Sequence, residues 1–112
     1  MPAFQDIDAA ELQTLQAHGA VLVDVRTPAE VARGGIAGAR HIPLHLLPLL
    51  EASEFADIGT QPLIFYCQSG ARSAQACGFM LSRGYEHVYN LRGGFMGWTR
   101  QGLPAALVLA RS

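Results

Sequence analysis

Two hydrophobic rhythms take turns along this chain. Residues 20–25 and 62–66 are short, nearly unbroken apolar runs, the pattern of strands buried on both faces. Residues 40–44 and 87–91 read as briefer strands. Between these runs apolar residues recur at helical spacing: Ala9, Leu12 and Leu15, then Leu46, Leu49 and Leu50 within 46–55. Within 73–83 the stripe is Ala74, Cys77 and Leu81, with Met80 adjacent, and a last helix is expected over 95–101.

The punctuation agrees with the rhythm. Asp8-Ala9-Ala10-Glu11 has the form of a capping box, with Ile7 and Leu12 at the staple positions around it, and Gly19 is placed to stop that helix. Thr27-Pro28-Ala29-Glu30 opens a second helix with Pro at its first position, which Gly34-Gly35 soon cuts short. Pro48 is tolerated only within a first turn. Gly84 closes the helix over 73–83, and Gly93-Gly94 turns into the last one.

Strands alternating with helices predict an α/β fold: a small, mostly parallel sheet of about five strands, flanked by helices on both faces. Right-handed crossovers would gather the strand C-terminal ends on one edge, where ligands bind in open α/β sheets. Asp24, Cys67 and the Leu91-Arg92-Gly93 corner all fall at such ends.

Composition narrows the picture. The 112 residues are half hydrophobic and only 15% charged, enough for one core and too few for two domains, so a single domain over 1–112 is expected. A formal charge of −1 gives no basic excess to neutralise phosphates, so nucleic acid is not an expected partner. The longest apolar stretches, 42–50 and 103–110, fall far short of the roughly 20 residues that span a bilayer, so no membrane is expected. The N-terminal Met-Pro-Ala-Phe-Gln-Asp carries no basic stretch followed by an apolar one, so no secretory signal is read there, and a cytoplasmic, reducing location is the expectation. Two cysteines ten residues apart, without a CxxC, make neither a disulfide framework nor a zinc ribbon.

Cys67 carries the chemistry. It ends the apolar run 62–66, and the short turn Gln68-Ser69-Gly70-Ala71-Arg72 leads from it into a helix opening at Ser73. A thiol at that junction faces unpaired backbone N–H groups and the positive end of a helix dipole. Such groups can pull a cysteine pKa well below its free value of about 8.5. Gly70 suits the tight loop because it tolerates positive φ. Arg72 can set a fixed positive charge at the loop mouth.

These residues resemble the rhodanese-like family over most of the chain. Asp24-Val25-Arg26-Thr27-Pro28-Ala29-Glu30 is similar to its DVRxxxE segment. Gly34-Gly35-Ile36-Ala37-Gly38-Ala39 followed by His41-Ile42-Pro43 is similar to its GHIPGAxxIP stretch, with Gly35 in place of the usual His. Cys67-Gln68-Ser69-Gly70-Ala71-Arg72-Ser73 resembles the CxxGxR active loop, and Leu91-Arg92-Gly93-Gly94 with Trp98 the closing LxGGxxxW. Any one motif is weak; four in order are strong.

The resemblance implies a rhodanese-like fold and a sulfurtransferase that works without cofactor or metal. Cys67 would be the nucleophile that takes a sulfane sulfur from a small-molecule or protein donor, thiosulfate or a persulfide. It would pass that sulfur to a thiophilic acceptor (cyanide, a thiol or a protein cysteine). Gln68, Ser69, Gly70, Ala71, Arg72 and Ser73 would bind the anion, chiefly through main-chain N–H groups. Many thiosulfate-using members carry basic residues directly after the cysteine, whereas Gln68 and Ser69 are neutral, so a persulfide donor is at least as good a candidate.

Other classes remain on the table. A Cys-loop phosphatase needs Cys-x5-Arg to enclose a tetrahedral phosphate, and the spacing here is Cys-x4-Arg. An arsenate reductase needs a resolving cysteine, and Cys77 sits two to three helical turns away on an apolar stripe, where packing is its expected role. Interaction modules with this fold commonly lack the cysteine, and a sulfur carrier would share Cys67 with the enzyme. Asp24, Arg26 and Glu30 are expected to form an ion-pair and capping network rather than to bind substrate. His18, His41, His45 and His87 show no metal spacing and are expected at the surface or in turns. Trp98 and Phe95 are expected to pack the last helix onto the sheet. Oligomeric state is not legible.

Overall fold

The computed structural model describes residues 3–111. Met1 and Pro2, part of the stretch read for a secretory signal, lie outside the described residues. The strands are β1 (Gln5–Ile7), β2 (Val21–Asp24), β3 (Arg40–His41), β4 (Leu63–Tyr66) and β5 (Val88–Leu91). They form one sheet in the order β1-β5-β4-β2-β3, with every pairing parallel. The helices are α1 (Ala9–Ala17), α2 (Pro28–Val31), α3 (Leu47–Glu54), α4 (Ala71–Ser82) and α5 (Gly94–Arg100), and a 3-10 turn, Leu44–Leu46, leads into α3.

The central strands are buried on both faces, which is why their sequences are runs rather than alternations. Leu63, Phe65 and then Cys67 point into one apolar layer with Leu47 of α3, with Phe55 just after it, and with Ala76, Cys77 and Met80 of α4. Ile64 and Tyr66 point into the other, with Leu12 of α1 and with Phe95 and Trp98 of α5. No helix among the described residues is long and apolar enough to cross a membrane.

Both capping boxes form: Asp8 with Glu11 opens α1, and Thr27 with Glu30 opens α2. Ile7 and Leu12, the staple pair, are both buried. Three expectations need correction. β1 was not foreseen, because only Ile7 of its three residues is buried and no alternation marks it. The helix over 73–83 begins two residues earlier, and its buried face is Ser73, Ala76, Cys77 and Met80, with Ala74 and Leu81 only half-buried. A hydrophobic count misses that face because polar Ser73 lies on it.

The third correction is His41, which is buried, while His18, His45 and His87 are exposed. Its Nδ1 accepts from the Arg111 amide at 2.8 Å, so Nε2 carries the proton it donates to Arg26 O at 2.7 Å.

The segment after α5 lies back across the molecule. Gly35 and Ala106 exchange two backbone hydrogen bonds of 2.8 Å, and Val108 is buried beside them. A methyl group on Gly35 would come within 2.7 Å of Tyr66 Oη and Val108 Cγ2, and within 2.9 Å of Arg26 Nη2. No histidine side chain fits there, which accounts for the departure at this position.

Candidate active site

Cys67 continues the alternation of β4 and emerges on the α4 side, just before the N-terminus of α4. Gly70 turns the chain at φ 114°, a left-handed conformation that only glycine adopts without strain. The turn brings the Gly70 N–H to 3.0 Å from Cys67 Sγ.

The loop's outer side is held by α5. Its first amides donate outward-facing bonds, Phe95 N–H to Cys67 O at 2.9 Å and Met96 N–H to Gln68 O at 3.0 Å. With the Gln68 carbonyl tied down on the outside, the Ser69 N–H that follows it is left to face the sulfur. Gly94 makes this approach possible: it sits at φ 59°, and a Cβ there would lie 2.6 Å from both Cys67 O and Gln68 O.

The sulfur is held for ionisation. Burial works against its charge, but the N–H groups of Ser73, Gly70 and Ser69 favour it, and the thiol pKa falls below the ordinary cysteine value. Cys77 has the opposite setting. It lies in the apolar layer with Sγ 3.4 Å from Tyr89 O, and burial pushes its thiol up to about 12. One cysteine is prepared for anionic chemistry and the other is packing.

Of the remaining loop residues, Ser69 and Ala71 are exposed at the lip, Gln68 and Arg72 are half-buried, and Ser73 is buried beneath the sulfur. Arg72 points its fork at Glu30, with Nη1 to Oε1 at 2.7 Å and Nη2 to Oε2 at 2.8 Å. The bond to Arg72 holds the Glu30 carboxyl down at about 2, against the opposing effect of burial and with help from Thr27. Arg72 therefore brings a positive charge to the mouth, and Glu30 answers it with a negative one.

Beneath this pair, Arg26 is 1% exposed and bonds Asp24 at 2.7 Å, Gly34 O at 2.8 Å and Gln68 Oε1 at 3.4 Å. Its guanidinium stacks 4.6 Å from the Phe95 ring centre. This buried, fully partnered group ties the turn after β2 to the Cys67 loop.

Three contributors escaped the sequence reading. The pairing of Glu30 with Arg72 joins two motifs that are 42 residues apart. Gly94 is a backbone-contact position, whereas the motif marks it only as a turn. Asn90 of β5 hydrogen-bonds Ser73 under the sulfur at 2.6 Å, and its neighbour there is Asp6 of the unforeseen β1, at 3.0 Å. A cavity of about 550 Å³ lies at the opposite sheet edge, between Glu51, Gln61, Arg83 and His87, and shares no residue with the loop.

Comparison with known proteins gives a consistent result. The rhodanese-like domain family matches residues 8–101. A sulfurtransferase of Allochromatium vinosum is 41% identical over 99 residues, covering 88% of this chain and 90% of that protein. The thiosulfate sulfurtransferase GlpE of Stutzerimonas stutzeri is 37% identical, covering 88% and 87%. Among solved structures, the human single-domain sulfurtransferase TSTD1 superposes with a TM-score of 0.70 at 32% identity, covering 86% of this chain and 96% of that one.

Proposed function

Since this chain belongs to the rhodanese-like domain family and is a rhodanese-type sulfurtransferase, we propose that it moves sulfane sulfur through a persulfide on Cys67. The Cys67 thiolate attacks the outer sulfur of thiosulfate or of a persulfide. The bond between donor and sulfur breaks, sulfite or the donor thiolate leaves with the electron pair, and Cys67–S–S⁻ remains. A thiophile such as cyanide or a thiolate then attacks the outer sulfur and restores the Cys67 thiolate. No proton moves in either half, so the site needs anion stabilisation rather than a general acid.

The observation that carries this reading is the Gly70 N–H at 3.0 Å from a sulfur whose pKa lies below the ordinary value. Gln68, Ser69, Gly70, Ala71 and Ser73 form the wall in which the second sulfur would rest, and Arg72 stands at its mouth. The turn is one residue shorter than the Cys-x5-Arg loop that a phosphate ester needs, which favours a sulfur-sized guest. Intact-mass measurement after incubation with thiosulfate or a persulfide tests the reading. One added sulfur is expected on the protein and on Cys77→Ser, and none on Cys67→Ser. Loss of the adduct in Cys77→Ser alone would reverse the roles of the two cysteines.

A further inference from the structure

The Ser73 hydroxyl has one proton and three acceptors. Its Oγ lies 2.6 Å from Asn90 Oδ1, 3.2 Å from Gly70 O and 3.4 Å from Cys67 Sγ. The choice among them is made one residue further out. Asn90 Nδ2 lies 3.0 Å from Asp6 Oδ1 and 3.4 Å from Gly70 O. A carboxylate and a carbonyl only accept, so the Asn90 amide turns its NH2 toward them and its oxygen toward Ser73. That oxygen also only accepts, and 2.6 Å is a short O–H···O separation. The Ser73 proton therefore goes to Asn90, and an oxygen lone pair faces the sulfur.

We propose that Asn90, held by Asp6, is a positioning residue that keeps the Ser73 proton away from the Cys67 thiolate. The resting thiolate is then stabilised by backbone N–H groups and not by the hydroxyl, and Ser73 accepts from the thiol S–H. The withheld hydrogen bond has a chemical use. A thiolate's intrinsic nucleophilicity falls as its pKa falls, so one donor fewer leaves the sulfur more reactive toward a donor's S–S bond. Asn90 thereby tunes the attacking group without touching it.

The inference rests on the reading of Cys67 as the reactive thiolate, and its test is independent of sulfur transfer. The rate of iodoacetamide alkylation is followed against pH, with the modified cysteine located by mass spectrometry. The other charged and titratable groups around the loop are Arg72 with Glu30, Arg26 with Asp24, Asp6 and Cys77. Asn90→Leu and Ser73→Ala change none of them.

Asn90→Leu is expected to lower the Cys67 pKa by about one unit, the effect of one hydrogen bond gained by an anion. In the same variant the pH-independent rate of sulfur uptake is expected to fall roughly threefold. Ser73→Ala by itself barely moves the pKa, and Asn90→Leu loses its effect when Ser73 is already Ala.

Asp6 is exposed, so Asp6→Ala provides a second cycle if the Asn90 variant does not fold. Removing its charge lowers the pKa through space with or without Ser73. The further lowering that depends on Ser73 is the part expected to vanish in the double variant. A Ser73→Ala pKa raised by about one unit, or shifts that persist undiminished without Ser73, would overturn the proposal. A normal alkylation cycle beside a missing persulfide adduct would sink the sulfur-transfer reading and leave this inference standing.

Discussion

Glu30 divides one carboxylate between two tasks. Oε1 accepts from the Thr27 amide to cap α2, and both oxygens grip Arg72 across the mouth of the loop. Glutamine keeps the capping geometry and removes the charge, so Glu30→Gln leaves Arg72 an unanswered cation. The kcat/KM for dianionic thiosulfate is expected to rise about threefold relative to that for a singly charged persulfide donor, in proportion to a part-exposed charge. An unchanged ratio would mean that Arg72 already turns to the donor. The same carboxylate sets an acid limit. Because its folded pKa is depressed from 4.5 to about 2, its contribution to stability is present above 4.5 and is lost as pH falls toward 2. Discounted for exposure, that contribution is about 1 kcal/mol, and melts of the two proteins should converge across this window and in high salt.

At the scale of elements, the grip of α5 on the loop is the critical joint. Gly94→Ala places a methyl group 2.6 Å from two loop carbonyls and must push the turn off the helix. Alkylation is expected to show the Cys67 pKa moving up toward the free thiol, and sulfur transfer is expected to fall by about tenfold or more. A variant with unchanged kinetics would show that the loop holds its shape unaided.

This joint also marks how far the sequence can be read. Cys67, Gly70 and the strand-to-helix turn are local, so spacing and turn chemistry reveal them. Strands β2 to β5 and both capping boxes are legible for the same reason. What α5 does to the loop is not local, since a glycine pair signals a turn and says nothing about the backbone it lies against. Asn90 and Asp6 are hidden more deeply. One looks like a strand residue and the other like a polar lead-in, and only the pairing of β1 with β5 brings Asp6 to Asn90 and so toward Ser73.

Across the whole molecule, the segment beyond α5 returns to the turn at Gly35 and to His41 of β3. Val108 and Ala106 pack at Gly35, and Arg111 bonds His41 O at 3.1 Å as well as Glu54. Gly35→Ala would have to displace Tyr66, Val108 or Arg26, and is expected to cost about 1–3 kcal/mol in chemical denaturation. Deleting residues 104–112 removes the Val108 contact and leaves those to Tyr66 and Arg26, so Gly35→Ala should cost less in the shortened chain. Equal penalties in both backgrounds would show that the tail is not what confines Gly35.

The dependence of the loop on Phe95 and Met96 also has a temporal side. Those amides follow the cysteine by nearly thirty residues, so during synthesis the sulfur emerges before the helix that holds its loop. Until α5 docks, the Cys67 and Gln68 carbonyls lack the two bonds that hold the loop. Reactivity is expected to follow the docking of α5, and a product cut short of that helix to carry a slower Cys67.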